Sequence, residues 1–337
     1  MKFRGFFCLL TVIALIAAFS CPAFADDAEI TVTDQAGREV VFDSYPQRIV
    51  SGYYISTSAL IALGVQDRLV GIEAKAAERN IYRLAAPELP ELPNTGTAKA
   101  FNLEGCIAMD PELVILPLRL REAGDTLETL GISVLYVNPE SQEQLEEMIT
   151  LLAAATGTAE RGNALLGFIE DCRGLLTEKL SGLDRKPTIY IAGNSSLLST
   201  AGSGMFQSAM AALAGADNVA AELSDSYWQN ISYEQLLAWD PEYILLPSGS
   251  SATAEDVMND PRLAECSAVK YGNILTMPDE AESWDSPVPG GILGSVWLAS
   301  ALHGDLVSPE QSADLISAFY RTFYGFAYYG DPADVAA

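Results

Sequence analysis

The sequence predicts an α/β protein made of two similarly organised lobes joined by one long helix. Three features predict it: a sixteen-residue signature that occurs twice, short apolar strands alternating with helices around each copy, and one uninterrupted helical stretch between the copies. The first copy runs from Asn102 to Pro117 and the second from Ser232 to Pro247, 130 positions apart. Seven of the sixteen positions are identical, among them Glu104/Glu234, Asp110/Asp240, Pro111/Pro241 and Glu112/Glu242. The repeat sets one acidic residue, Glu104 or Glu234, at the matching place in each lobe. Asp110-Pro111 and Asp240-Pro241 read differently, as turns that end a helix and start a strand.

The chain opens as an export leader. Lys2 and Arg4 precede an apolar run, Phe6 to Phe19, and Ala23-Phe24-Ala25 is a small-x-small cleavage site, so residues 1–25 are expected to be removed. Lipid anchoring at Cys21 is the alternative, but Ala18-Phe19-Ser20 lacks the leucine usual three places upstream. The mature chain starts with a hairpin, Ile30 to Thr33 and Glu39 to Phe42, around the turn Asp34 to Gly37. Arg48 to Ser51, Asp67 to Ile72, Leu113 to Leu116 and Val134 to Val137 read as strands. Helices are expected up to Leu63, from Glu104 to Met109, from Glu122 to Leu130 and from Gln142 to Ala155. The run Leu113 to Leu116 is apolar on both faces, as parallel strands are. This is a Rossmann-like, doubly wound lobe over residues 26–157.

Thr158 to Gly182 carries apolar residues at helical spacing without an internal proline and predicts a stiff connecting helix over 158–182. The second lobe, 183–328, restarts the plan. Thr188 to Ile191 matches Arg48 to Ser51, and Leu213 to Val219 matches Leu63 to Leu69, with an insertion of about nine residues around Ser199 to Phe206. Asn273 to Met277 is a late strand, Val296 to Leu302 and Ser308 to Tyr324 are closing helices, and the tail from Asp331 to Ala337 is expected to be disordered.

Composition excludes several functions. The formal net charge is −26, and −28 once the leader takes Lys2 and Arg4 with it, which leaves no basic footprint for nucleic acid. Cys106, Cys172 and Cys266 remain, an odd number at wide spacing and no disulfide framework. His303 is the single histidine, expected in a solvated place at a helix end. No G-x-S-x-G elbow, P-loop or Cys/His cluster accompanies it. The sequence therefore predicts no enzyme, no catalytic residues, no metal site and no cofactor. Gly290 to Gly294 reads as a place of close helix packing.

The order of Asp34-Gln-Ala-Gly-Arg38, Pro46-Gln-Arg-Ile-Val50, Leu63 to Gly71, Asn102-Leu-Glu104, Asp110 to Ile115, Leu130 to Val134 and Glu234 to Pro241 resembles a known family. It is that of the periplasmic substrate-binding proteins of ATP-driven importers for iron–siderophore complexes, haem and cobalamin, in their helical-backbone class. The resemblance runs from about Ile30 to Tyr324. It implies two lobes facing each other across a shallow cleft and a monomer that docks on a membrane permease of two identical subunits. The family's docking glutamates fall on Glu104 and Glu234. The ligand it implies is a metal chelate, with a ferric siderophore first and cobalamin or haem next; an oxyanion such as molybdate would also suit the chain's basic cluster. A ligand sensor on the same fold is the alternative of another class.

Ligands of open α/β sheets lie beyond the carboxyl ends of the strands. Lys75, Arg79, Arg83, Lys99, Arg119 and Arg121 cluster after strand ends of the first lobe and suggest an anionic ligand, with Lys75, Lys99 and Arg119 as candidate contacts. Tyr53, Tyr54, Tyr227, Trp228 and Trp284 are candidate aromatic contacts, because amphipathic rings stack on a chelator at small entropic cost.

Overall fold

The structure is a computed structural model that describes residues 29–223 and 227–328. The expected leader, the Cys21 anchor and the tail 331–337 lie outside the described residues.

Two sheets carry the fold. The first holds four parallel strands in the spatial order Leu69–Gly71, Ile49–Ser51, Leu113–Pro117, Ser133–Val137. The second repeats this order with Asp217–Asn218, Thr188–Gly193, Tyr243–Leu246 and Ile274–Thr276, again parallel. The signature strand thus holds the same place in both sheets. The two sheets differ at one edge: Ser196–Thr200 folds back antiparallel on Thr188–Gly193 and pairs with Gln229–Asn230. The insertion expected around Ser199 to Phe206 overlaps only the end of this added strand, which begins too close to its partner to read as a separate element. Asp67 and Arg68 belong to a 3-10 turn, so the strand expected from Asp67 begins at Leu69. The hairpin Gly96–Thr97 with Ala100–Phe101, unforeseen in the sequence, precedes the first signature helix.

Side-chain alternation sorts the strands between cores. Ile49, Leu113, Ile115 and Leu135 face one large cluster, and Ile189, Ile191 and Leu245 of the second sheet face the same cluster. Their alternate neighbours along the pleat, Val50, Val114 and Leu116, face a separate group of apolar residues, as Tyr190, Ile244 and Leu246 do in the second half. The signature helices, Leu103–Ala108 and Tyr233–Trp239, cover these outer faces through Cys106 and Leu236, which hold the same position in the two copies of the repeat.

The large shared cluster lies under the long helix Ala159–Leu180, 22 residues and about 33 Å of rise. Leu165, Ile169, Cys172 and Leu176 turn inward from it. It packs against Gln142–Thr156 on one side and against Gly291–Leu302 and Phe206–Leu213 on the other. Gly291 and Gly294 permit close packing here: a Cβ at either would stand 2.7 Å from a backbone oxygen, of Ser286 or Trp284. Cys106, Cys172 and Cys266 are buried and free. His303 is buried rather than solvated, because its Nε2 meets the carbonyl of Gly215 at 3.1 Å under the turn that enters the second sheet. Among the described residues, no helix is long and apolar enough to cross a membrane.

Leu165→Ala removes a fully buried side chain from the joint core. It should cost about 2–5 kcal/mol in urea unfolding, in one transition for both halves. A loss under about 1 kcal/mol, or two separated transitions, would show that the helix does not bind the halves into one core.

Candidate functional site

The carboxyl ends of strands from both sheets meet at one cleft of about 190 Å³. Tyr54 enters it from the end of Ile49–Ser51 and Arg79 from the segment after Leu69–Gly71. Ser248 and Gly249 follow Tyr243–Leu246, and Asp279 to Ser283 follow Ile274–Thr276. Main-chain geometry produces this convergence, since parallel strands all point their carboxyl ends the same way.

Arg79 is held in place. Its Nε lies 3.2 Å from the buried Glu73, which also accepts hydrogen bonds from Thr57 Oγ1 at 2.7 Å and Tyr82 OH at 2.8 Å. The guanidinium stands 4.1 Å over the Tyr54 ring, a cation–π contact. Burial pushes the Tyr54 and Tyr82 hydroxyls up, so both stay neutral donors. Across the cleft, Asn80 Nδ2 donates to the carbonyl of Asp279 at 2.9 Å and ties the first wall to the second.

Glu282 forms part of the second wall and is 6% exposed. Its Oε1 accepts from Ser58 of the helix Tyr54–Ala62 and from Tyr324 OH at 3.2 Å, while Oε2 lies buried against Gly290. Burial raises its carboxyl to about 7, with Ser58, Tyr324 and the nearby Gly290 backbone pulling the other way. Asp285, on the same loop, is also buried and raised to about 6.

The structure distributes the sequence candidates unevenly. Tyr54 lines the cleft; Tyr53 meets the Tyr54 ring edge-on, centroids 5.2 Å apart, and Arg119 stands 5.3 Å over Tyr53. Lys75 is exposed at the rim, 3.2 Å from Glu78. Lys99 is exposed at the tip of the Gly96–Phe101 hairpin. Of the six clustered basic residues only Arg79 lines the cleft, which corrects the expectation of a basic pocket: proximity along the chain does not set side-chain direction. Arg121 instead approaches Tyr136, 6.0 Å from the ring, and Arg83 pairs with Asn80. Trp228 packs beside Gly193 at the end of its strand, 36% exposed, and Tyr227 is 79% exposed. Trp284 is 1% exposed, its ring near Tyr328 and its Nε1 donating to Tyr320 at 2.7 Å, so it is a core residue and not a stacking platform. Ser58 escapes sequence reasoning because its partner Glu282 lies 224 positions away, and Glu73 because burial, not spacing, makes its partners Thr57, Arg79 and Tyr82 converge on it.

The repeated acids separate by role. Asp110 and Asp240 adopt left-handed backbone, φ 50° and 44°, and reverse the chain after each signature helix. Glu112 accepts from the backbone N–H of Arg48 at 3.2 Å, and Glu242 from that of Thr188 at 3.0 Å, so each braces the first strand of its sheet. Glu104 and Glu234 are exposed in the first turn of their helices and enter no ion pair among the described residues. The burial pattern over the ten residues from Phe101 is the same as that over the ten from Ile231.

A family model described as a periplasmic binding protein matches residues 49–281. The molybdate-binding protein MolA of Haemophilus influenzae is 27% identical to the chain over 352 residues, 96% of this chain and 98% of that one. A cobalamin-binding protein of Halobacterium salinarum is 23% identical, over 90% and 86%. The structure of MolA bound to molybdate superposes with a TM-score of 0.79 at 25% identity, covering 89% of this chain and 99% of that one. A periplasmic solute-binding protein of Veillonella parvula reaches 0.81 at 23% identity, over 90% and 95%, a likeness of fold.

The raised Glu282 carboxyl has a consequence for stability. Between its ordinary 4.5 and about 7 the folded chain keeps a proton that the unfolded chain has released. The stability from this group is therefore complete below the ordinary value and is lost as pH rises through about 7. Glu282→Gln should flatten the decline in unfolding free energy between mildly acidic and mildly alkaline pH; an unchanged pH profile in urea titrations would show that the carboxyl is ionised throughout.

Proposed function

The chain belongs to the periplasmic binding protein family, and on that premise we propose that it captures a metal-containing anion outside the cytoplasm and delivers it to an ATP-driven importer. The observation that carries this reading is the meeting of strand ends from two repeat-related sheets at one cleft that holds a braced arginine. The cargo is a substrate, bound and released unchanged.

A compact metal oxyanion of the molybdate class is the first reading. The cleft, about 190 Å³, is smaller than the roughly 300–1,000 Å³ of pockets for drug-sized ligands. A molybdate-binding relative also aligns with nearly the whole chain. Arg79 supplies charge, and the hydroxyls of Ser283 and Tyr54 supply donors. A larger metal chelate, a ferric siderophore or a corrinoid, is the second reading. The exposed rings of Tyr227 and Trp228 and the Tyr53–Arg119 pair favour it, since they could extend contacts beyond the cleft. Lys75 and Lys99 would add charge only at the periphery.

Presentation to the importer is assigned to Glu104 and Glu234. A membrane partner of two identical subunits offers the same basic socket twice, and two equivalent carboxylates match it. Support comes from the repeat itself: Asp110, Asp240, Glu112 and Glu242 are used inside the fold, whereas this third acidic pair stays exposed. Residues 26–157 and 183–328 act as the two lobes, and 158–182 as the stiff connector that keeps both carboxylates at a fixed separation.

A thermal-shift series with molybdate, tungstate, sulfate, a ferric siderophore, haem and a corrinoid tests the ligand. A true ligand at 100 times its Kd should add about 2.7 kcal/mol of stability. Stabilisation by the large chelates and not by the oxyanions would reverse the order of the two readings. Arg79→Ala should weaken binding about 10- to 100-fold, as for a charged hydrogen bond; equal affinity would remove Arg79 from the site. For docking, the double variant Glu104→Ala/Glu234→Ala should bind ligand normally and fail to support uptake by the reconstituted importer. Normal uptake by that variant would sink the assignment.

A further inference from the structure

We infer that the Glu282 carboxyl couples ligand capture to proton uptake: the cleft takes its anion together with a proton on Glu282, and loss of that proton favours release. The inference rests on the anion reading above and specifies how that site is regulated.

Glu282 is both a wall of the cleft and a buried group. Among the described residues no cation is paired with it; Arg79, the basic residue of the cleft, is engaged by Glu73. The groups that meet the Glu282 carboxyl are Ser58 from the helix Tyr54–Ala62, Tyr320 and Tyr324 from the closing helix, and the Gly290 backbone; Tyr54, Glu78, Arg79 and Asp279 line the same cleft, Glu280 and Asp285 lie on its own loop, and Tyr328 stands beside Tyr320. Most of these are neutral hydroxyls or acids. An anionic carboxylate there is desolvated and has no cation paired with it, whereas a neutral acid is tolerated. Oε1 already accepts two hydrogen bonds, and Oε2 has no well-formed one, so Oε2 is the oxygen free to carry the proton. Burial has already moved the group's titration into the neutral range.

An anion in the cleft adds one more negative charge beside this carboxyl. Its repulsion raises the proton affinity further, and by linkage the protonated form binds the anion more tightly. Protons come from bulk solvent, and no bond of the cargo changes. Asp285 sits three residues on, its carbonyl accepting from Gln207, and does not line the cleft.

Calorimetric titration with sodium molybdate, and separately with ferric citrate as an anionic chelate, at about pH 5.5, 7.5 and 8.5 in buffers of different ionisation enthalpy tests this. Affinity should be constant on the acidic side and fall by up to about tenfold per pH unit above about 7, with up to one proton taken up at about pH 7.5. Glu282→Gln should take up no proton and lose the fall in affinity between about pH 7 and 8.5, while Asp285→Asn should keep both proton uptake and that fall. The wild-type buffer comparison decides the matter even if Glu282→Gln does not fold. Binding without proton uptake, or uptake that disappears in Asp285→Asn instead, overturns the inference and leaves the anion reading standing. Binding of neither probe defeats both.

Discussion

One continuous apolar core joins the two halves of this protein. Strand residues of both sheets, Ile49 and Ile115 on one side and Ile189 and Leu245 on the other, face the same cluster under the helix Ala159–Leu180. Moving one half relative to the other would have to break contacts packed at crystal-like density, so the arrangement resists hinge motion. The cleft is therefore set by the core: its walls are the loops that emerge from two sheets with little freedom to reorient.

The repeat expresses that constraint in sequence. A helix must cover the outer face of each sheet, so Cys106 and Leu236 are apolar and buried. The chain must then reverse into the next strand, and Asp110 and Asp240 take up the left-handed backbone that an aspartate tolerates better than most residues. Glu112 and Glu242 accept the backbone donors at the start of the first strand. Each of these residues answers a local structural need. Glu104 and Glu234 answer only a weaker one, the favourable place of an acid in a helix's first turn, and for Glu234 its own backbone N–H and the Ser232 hydroxyl hold the carboxyl below its usual range.

The cleft combines one braced cation with several acids. Glu73 orients Arg79 and at the same time offsets part of its charge. Glu282 and Asp285 are buried without cationic partners among the described residues, which is why burial dominates their titration. Such a site has a charge that depends on its protonation, in contrast to the fixed basic pocket suggested by counting lysines and arginines along the chain.

The sequence alone determined the two-fold plan, the parallel strands, the long helix and the doubled acidic position, because these follow from hydrophobic period and from a repeat whose copies align without gaps. It also located the strand ends at which the cleft forms. Only the tertiary structure decided which side chains face that cleft. Arg79 lines it while Lys99 and Arg121 do not, and Trp284, a rim aromatic by its place in the sequence, is enclosed beside Tyr320 and Tyr328. His303 and Glu282 are buried for the same reason, since their neighbours, Gly215 for one and Ser58 for the other, lie 88 and 224 positions away. Periodicity records which face of an element is apolar; what stands opposite that face is set by packing between distant segments.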